Sequence, residues 1–219
     1  MPRALARPIT YLITGGESSS ATHSESEEFR RLLAHVRAAV GARVTLVQLR
    51  EKGLTGRALF ELASAAAHVA RGSGTGVLVN DRADIARASG CDGVHLTTNS
   101  LEASVVRRAF GEEFLIGVSA HTFEEARAAR DGGADFAVFG PVFDTPSKRA
   151  YGAPLGLEAL REAAQAVAPF PLLALGGITR ANIPQAIAAG ARGVAAIRLF
   201  GDESELDAVV NELEECRSE

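Results

Sequence analysis

Short apolar runs alternate with longer amphipathic segments along the whole chain. Eight runs combine β-branched and other apolar residues, a pattern typical of buried parallel strands, and they span 9–14, 43–49, 76–80, 92–96, 114–119, 135–140, 171–176 and 192–197. A segment with helical spacing follows each run, and these segments span 25–40, 55–71, 82–89, 101–110, 122–131, 157–168, 180–189 and 203–216. Eight strand-then-helix units predict a parallel sheet covered by helices, which is an α/β fold.

The number of these units favours closure of the sheet into a single (β/α)8 TIM barrel over residues 1–219, with strand 1 from about residue 9. An open doubly wound sheet is the alternative. Closure matters for function because a barrel brings the carboxyl ends of all its strands to one mouth, where barrel enzymes carry their chemistry. At the helix starts, Ser24 and Glu27 predict a capping box, and Thr55 predicts the beginning of the second helix.

The apolar line of the second strand runs into polar side chains. In VTLVQLREKG, residues 44–53, alternation places Gln48, Arg50 and Lys52 on the same face as Val44 and Leu46. Other predicted strands also lead into polar residues, namely Asn80, Asp81, Ser100, Ser119, His121, Thr145, Ser147 and Lys148. Arginine and lysine bind phosphate, and a carboxylate such as Asp81 is a ligand for Mg²⁺. We therefore expect a site for a diphosphate and Mg²⁺ at the barrel mouth.

The last two strands end in a different kind of sequence. Strand 7 leads into Gly176 and Gly177, and strand 8 leads into Ile197 and Arg198. Barrels often bind a phosphate monoester through backbone N–H groups of these two loops, although paired glycines also serve tight packing. A diphosphate pocket and a monophosphate pocket in one cavity would suit group transfer with diphosphate as the leaving group. The loop over 141–156 is long enough to be a lid.

Composition and charge narrow the function classes. The chain is 47% hydrophobic and 23% charged, with a formal net charge of −4 and a pI near 5.8, as in an ordinary soluble protein. A general nucleic-acid binder would more often be basic. No apolar run reaches the roughly 18 residues of a membrane helix, and the amino-terminal segment lacks the pattern of a signal peptide, so we expect a cytoplasmic protein without membrane partners. Cys91 and Cys216 are expected to be reduced thiols.

Six motifs each close a predicted strand, namely QLREK at 48–52, VNDRADIA at 79–86, DGVHL at 92–96, GVSAHT at 117–122, FGPVFDTPSK at 139–148 and ALGGI at 174–178. Together they resemble the thiamine phosphate synthase and thiazole tautomerase superfamily. The synthase motifs are the closer match. In that enzyme, the resemblance implies a Mg²⁺-dependent transfer in which aminopyrimidine methyl diphosphate loses pyrophosphate and the nitrogen of thiazole phosphate captures the cation left behind. By analogy a homodimer is also expected.

The resemblance assigns a role to each candidate residue. Contacts to the diphosphate are implied for Gln48, Arg50, Lys52, Asn80 and Lys148. Asp81 is implied as the magnesium ligand. Ser119, Thr145 and Ser147 are implied as hydrogen-bond donors, and the Gly177 amide as a contact of the thiazole phosphate, next to Ile197 and Arg198.

Two positions depart from the synthase pattern. A neutral residue, Ser100, stands where the family has a second magnesium carboxylate, and Arg198 stands where the family has a serine. These departures keep two other interpretations open. A thiazole tautomerase would use His121 as acid and base but has little use for the diphosphate residues. The third interpretation is a barrel that has lost catalytic activity and binds a thiamine-related phosphate as a sensor or partner protein. His95 is assigned to core packing.

Overall fold

The fold is a closed barrel of eight parallel strands, seen in a computed structural model that describes residues 8–145 and 153–216. The strands are β1 Ile9–Ile13, β2 Leu46–Leu49, β3 Gly76–Asn80, β4 Gly93–Leu96, β5 Leu115–Ala120, β6 Phe136–Phe139, β7 Leu172–Leu175 and β8 Gly193–Ala196. Each strand pairs with the next along the chain, and β8 pairs with β1 in the register Ile9↔Gly193. The predicted (β/α)8 barrel is therefore confirmed, and the open sheet is excluded.

One α-helix follows each strand, and each corresponds to a predicted segment. The helices are α1 Glu27–Gly41, α2 Gly56–Ala70, α3 Ala83–Ser89, α4 Ala103–Phe110, α5 Phe123–Asp131, α6 Gly156–Val167, α7 Ile183–Ala188 and α8 Leu206–Glu215. Short 3-10 helices precede α7 at Arg180–Asn182 and α8 at Glu203–Glu205, and a third spans Arg198–Phe200.

The predicted cap of α1 was wrong, whereas that of α2 is confirmed. Ser26, not Ser24, caps α1, because its Oγ accepts a hydrogen bond from the backbone N–H of Phe29 at 3.4 Å. Glu27 is then the first helical residue and cannot close a capping box from the third position. Thr55 caps α2 as expected, with its Oγ1 accepting from the N–H of Ala58 at 3.2 Å.

The apolar residues form two layers, one inside the barrel and one between the sheet and the helices. The inner layer comprises Ile9, Tyr11, Ile13, Leu46, Leu78, Leu115, Phe136, Val138, Leu173 and Ala195. Val44 packs in the outer layer, so its predicted place on the line of Leu46 was wrong. The chain bends at Thr45 and β2 begins only at Leu46, so strand alternation does not extend back to Val44. From Leu46 onward, the inner line leads directly to Gln48.

At the amino-terminal end of the barrel, carboxylates serve the backbone. Asp92 accepts from the N–H of Val77 at 2.8 Å, and Asp135 accepts from the N–H of Ile116 at 2.7 Å. Asp135 also pairs with Arg107 at 2.8 Å. These contacts tie each turn to the neighbouring strand. The carboxylates at this end of the barrel therefore stabilise the fold.

Two further expectations from the sequence concern the thiols and the membrane. Cys91 and Cys216 form no disulfide in the part of the chain described, as predicted. Burial raises the pKa of the Cys91 thiol to about 11, so it stays protonated at neutral pH. Among the residues described, no helix has the length and apolar character that a membrane crossing needs.

Candidate functional site

Predicted site residues on β2 and β3 form one chain of hydrogen bonds at the barrel mouth. Gln48 is 1% exposed, and its Nε2 donates to Oδ1 of Asn80 at 3.4 Å. The Nδ2 of Asn80 in turn donates to Oδ2 of Asp81 at 2.6 Å. Gln48 and Asn80 continue the inner lines of Leu46 and Leu78, so strand alternation places both amides above the packed interior. The amides are thus oriented by one another before any ligand arrives.

Asp81 lies at the centre of a ring of neutral donors. Its Oδ1 accepts from the N–H of Thr97 at 3.3 Å, from Oγ1 of Thr97 at 3.1 Å and from Oγ of Ser100. Asp81 adopts a left-handed φ of 58°, which is uncommon for a residue other than glycine and marks it as a candidate functional residue. The structure therefore brings together Asp81 and Ser100, the two residues expected at the metal. Within the described residues no cluster of three acidic, histidine or cysteine side chains could hold a metal without other ligands.

Arg50 and Lys52 supply positive charge that no described carboxylate neutralises. Arg50 is half-buried and Lys52 is exposed, and neither forms an ion pair with any residue that the structure describes. A half-buried guanidinium without a counter-charge favours binding of an anion, because its field is less screened than that of a fully exposed group. The two cations therefore leave net positive charge beside the end of β2, which would favour a polyanion.

Glu51 organises the loop beside these cations, a role that sequence reasoning missed. It is 4% exposed; its Oε1 accepts from Oγ1 of Thr14 at 2.5 Å and from the N–H of Gly16 at 3.2 Å, and its Oε2 accepts from the N–H of Ser18 at 3.3 Å. Thr14 also accepts from the N–H of Arg50 at 2.9 Å. Glu51 thus fastens the loop after β1 to the end of β2. Alternation could have indicated it, since Glu51 follows the outward-facing Val47 and Leu49, and a carboxylate buried there must find donors.

Gly53 shows how closely the two loops approach each other. A Cβ at Gly53 would lie 2.1 Å from the backbone oxygen of Ser18 and 3.0 Å from Cα of Ser19. Only glycine fits beneath that loop without moving the backbone. The loop after β1 is therefore packed against the β2 end rather than extending freely into solvent.

Ser119 lies on β5 and contacts a buried histidine. Its Oγ is 2.9 Å from Nε2 of His95, which is 3% exposed and packs near Tyr11 and Phe136, with ring centroids 5.7 Å and 6.3 Å away. Burial lowers the pKa of His95 to about 4, so the ring is neutral at physiological pH. The expected core packing of His95 is thus present, but the contact with Ser119 was missed. Its position two residues after Gly93, on the inward face of β4, was the available signal.

His121 follows β5 and is exposed at the mouth. Its Nδ1 is 2.6 Å from the carbonyl oxygen of Gly140, and because a carbonyl can only accept, the Nδ1 carries the proton. When the ring is neutral, Nε2 therefore holds the lone pair. The backbone N–H of His121 also donates to Oε2 of Glu125 at 2.5 Å, which holds the residue at the start of α5.

The opposite side of the mouth, after β6 and β7, is built from backbone. Gly177 has a left-handed φ of +64°, and a Cβ there would lie 2.5 Å from the carbonyl oxygen of Asp144. Asn182 donates through Nδ2 to the carbonyl oxygen of Gly177 at 2.9 Å, while its Oδ1 accepts from the N–H of Thr179. Glycine therefore allows the main chain to come this close to the neighbouring loop, and the role of the Gly177 amide as a phosphate contact stays a prediction.

Arg198 links the loops that follow β8 and β6. It begins a 3-10 helix beyond the end of β8, and its Nη2 donates to Oγ1 of Thr145 at 2.8 Å. Thr145 is buried, whereas Arg198 and Ile197 are exposed at the mouth. The guanidinium of Arg198 therefore reaches from the loop after β8 to the loop after β6 and does not fill the barrel interior. Ser147, Lys148 and the central part of the predicted lid, 146–152, lie outside the described residues.

Comparisons with known proteins point to one family. The family described as "Thiamine monophosphate synthase" matches residues 11–200. A protein of Geobacter sulfurreducens whose name includes thiamine-phosphate synthase is 51% identical over 168 residues, 77% of this chain and 78% of that protein. The thiamine-phosphate synthase of Moorella thermoacetica is 42% identical over 186 residues, 85% of this chain and 88% of its own. A solved structure of a thiamine phosphate pyrophosphorylase from Pyrococcus furiosus superposes with a TM-score of 0.80 at 28% identity, covering 95% of this chain and 96% of that one.

Proposed function

The chain belongs to the thiamine monophosphate synthase family, and we propose that it is a thiamine-phosphate synthase in thiamine biosynthesis. The reaction joins aminopyrimidine methyl diphosphate to thiazole phosphate with release of pyrophosphate. One observation carries the proposal beyond membership of the family. Gln48 is hydrogen-bonded to Asn80, and Asn80 to Asp81, next to the cations Arg50 and Lys52 in the chain. This combination of amides and cations supports a site for a diphosphate.

The residues of this row have distinct tasks in the proposed reaction. The bond between the pyrimidine methylene carbon and the diphosphate oxygen breaks, and its electron pair leaves with the diphosphate. Arg50 and Lys52 stabilise the charge that grows on this leaving group, because no described carboxylate competes for them. Gln48 and Asn80 orient the diphosphate through their amides. The thiazole nitrogen then donates its lone pair to the methylene carbon and forms the new C–N bond.

We further propose that Mg²⁺ binds together with the diphosphate. Asp81 provides one carboxylate and Ser100 a hydroxyl oxygen, which suits Mg²⁺ because it is commonly held by one or two carboxylates, substrate phosphates and water. When bound, the ion supplies Lewis-acid neutralisation of the phosphate charge. Oδ1 of Asp81 already accepts hydrogen bonds from Thr97 and Ser100, which an ion would have to displace. These residues therefore suit an ion that binds together with its substrate better than one that is bound permanently.

The β6–β8 side is proposed to hold the thiazole phosphate. The amide of Gly177 and the guanidinium of Arg198 lie at neighbouring loops, and Thr145 holds Arg198 in place. Ile197 offers an apolar surface beside them, since it is 38% exposed at the end of β8. Ser119, Ser147 and Lys148 stay predictions as substrate contacts, as do the homodimer and the cytoplasmic location.

A specific observation also supports a second candidate, thiazole tautomerase activity. The bond from His121 to Gly140 leaves Nε2 with a lone pair at the mouth, as a general base requires. The diphosphate row argues against this candidate, because a tautomerase has no diphosphate to bind.

The direct test uses the purified protein with both phosphorylated substrates and Mg²⁺. Thiamine phosphate is expected, measured after oxidation to its fluorescent product against a boiled-protein control. Absence of product would overturn the synthase proposal. Turnover of the thiazole carboxylate phosphate alone would instead establish the tautomerase, and binding of pyrophosphate by thermal shift without turnover would indicate a non-catalytic barrel.

A further inference from the structure

His95 is the one buried histidine in the part of the chain that the structure describes, and it carries an unusual cost. The side chain lies inside the barrel with the apolar inner layer below it, and its Nδ1 has no hydrogen-bond partner among the described residues. A buried polar atom without a partner destabilises a protein, because it loses its bond to water and gains none in return. A leucine would occupy this place without that cost. The imidazole therefore needs a reason other than packing.

The surroundings of Nδ1 determine which ring nitrogen carries the proton. A Cβ built on Gly117 would lie only 2.9 Å from Nδ1, so this nitrogen is close to the glycine Cα and to no described acceptor. A proton on Nδ1 would be a buried donor pointing at carbon. A proton on Nε2 would instead be used at once, because Ser119 Oγ is 2.9 Å away. An unpaired lone pair is the less costly of the two, because orphaned buried N–H groups are rarer than orphaned acceptors.

This tautomer constrains the hydroxyl of Ser119. If Nε2–H donates to Oγ, the serine cannot give its own proton back to His95. Ser119 is half-buried and lies at the mouth, above the inner layer, so its O–H is left to donate toward whatever occupies the site. A hydroxyl that could otherwise rotate among several partners is thereby restricted to one role.

We propose that His95 is a positioning residue, which donates from Nε2 to Ser119 and so presents the Ser119 hydroxyl as an obligatory donor to the bound substrates. This rests on the proposed synthase function. The ring does not titrate during the reaction and does not touch the substrate. Its contribution is to orient Ser119 before the substrate arrives, which favours a bond that strengthens as charge develops on the departing group.

The principal test is a double-mutant cycle between His95 and Ser119, with kcat and KM measured for each protein. His95→Leu is expected to lower kcat by about 10- to 100-fold, by analogy with the loss of a hydrogen-bond partner that orients a metal ligand, with KM little changed. Ser119→Ala is expected to lower kcat at least as much. The double variant should be no slower than Ser119→Ala, because His95 acts only through that serine.

Two amide variants keep the test decisive if leucine disturbs the fold. The terminal amide of glutamine can reach the position of Nε2, whereas that of asparagine mimics Nδ1. His95→Gln is therefore expected to recover most of the activity and His95→Asn to behave like His95→Leu. Tyr11→Phe is the matched control, since it removes the other unpartnered polar atom of the same aromatic group, the Tyr11 hydroxyl, without touching Ser119.

Stability and spectroscopy separate this role from a structural one. His95→Leu should unfold at the same or a higher temperature than the wild type while it loses activity. In ¹⁵N-histidine-labelled protein, assigned by comparison with His95→Gln, the His95 shifts should show a neutral ring protonated on Nε2. A ring protonated on Nδ1, unchanged kcat in His95→Leu, equal activity of the Gln and Asn variants, or additive losses in the cycle would each overturn the proposal. An inactive wild-type protein would instead remove the synthase function on which the proposal rests.

Discussion

The two sides of the barrel mouth are built from different groups. The β2–β4 side uses side chains: two cations without described counter-charges, two amides joined by a hydrogen bond, and the carboxylate of Asp81 among hydroxyl donors. The β6–β8 side relies on backbone, with glycines packed against the neighbouring loop, and on the single guanidinium of Arg198. The first arrangement places formal charge where a diphosphate would depart. The second is proposed to offer the Gly177 amide, which would suit a phosphate that is only held.

This difference has a physical origin in the proposed reaction. Charge that develops during bond breaking is stabilised best by preoriented charged groups, because they need little reorganisation at that moment. A phosphate that stays unchanged needs only binding, to which main-chain amides are suited when glycine allows them to approach. Substitutions on the β2–β4 side should therefore lower kcat, whereas those on the β6–β8 side should raise KM for the thiazole phosphate.

The largest effect is expected from Arg50→Gln. The variant removes a half-buried charge from the row but keeps an amide, so kcat should fall by about 10²- to 10³-fold, the loss typical of one removed electrostatic donor. Arg57→Gln is the matched control, because Arg57 lies on the exposed face of α2 and pairs only with Glu61 among the described residues. Steady-state kinetics with varied diphosphate substrate would test this. A loss confined to KM would contradict the assigned role of Arg50.

The next effect is expected from Gly177→Ala. The new methyl group would meet the Asp144 carbonyl, and alanine at a left-handed φ costs about 1–2 kcal/mol. KM for thiazole phosphate should rise about 10-fold or more, since a shift of 1.4 kcal/mol in binding corresponds to tenfold, and kcat should change less.

Gly72→Ala provides the control for backbone strain. Gly72 has a similar φ of +77°, but nothing lies within 4 Å of a Cβ there, and it is in the turn after α2. Both variants should lose thermal stability, but only Gly177→Ala should lose affinity for the thiazole phosphate. Equal KM values in the two variants would remove Gly177 from the binding site.

The smallest effect is expected from Ser100→Asp. A second carboxylate beside Asp81 adds negative charge at the proposed metal site, so the Mg²⁺ concentration for half-maximal rate should fall several-fold. Without Mg²⁺, repulsion between the two carboxylates should lower the melting temperature, and added Mg²⁺ should restore it. Asn99→Asp adds the same charge one residue away, where no bond to Asp81 is described, and should change neither quantity. An unchanged Mg²⁺ requirement in Ser100→Asp would place the metal elsewhere.

Much of the fold and part of the site follow from local patterns. The period-two alternation of β2 predicted that Gln48 would continue the inner line of Leu46, as it does, and the strand ends were predicted to carry Asn80 and Ser119. Strand and helix order predicted the barrel. The start of α1 differs from its prediction because Ser26 caps the helix, and one hydrogen bond at a helix end outweighs the periodic signal there. The start of β2 differs because the chain bends at Thr45.

Contacts between distant segments could not be predicted in this way. The donors of Glu51 come from the loop after β1, about 35 residues away along the chain. The pairing of His95 with Ser119 depends on the register His95↔Gly117 between β4 and β5, which a single strand does not encode. The contact of Arg198 with Thr145 likewise joins loops on two different strands, 53 residues apart.

The amino-acid pattern alone therefore predicts which residues end each strand and, within one strand, which way they face, because side-chain direction follows from periodicity within one element. The tertiary structure decides which of them touch, because that depends on strand register and on loops that close over one another. Only the tertiary structure shows that Asp81 lies among hydrogen-bond donors and that His95 contacts Ser119.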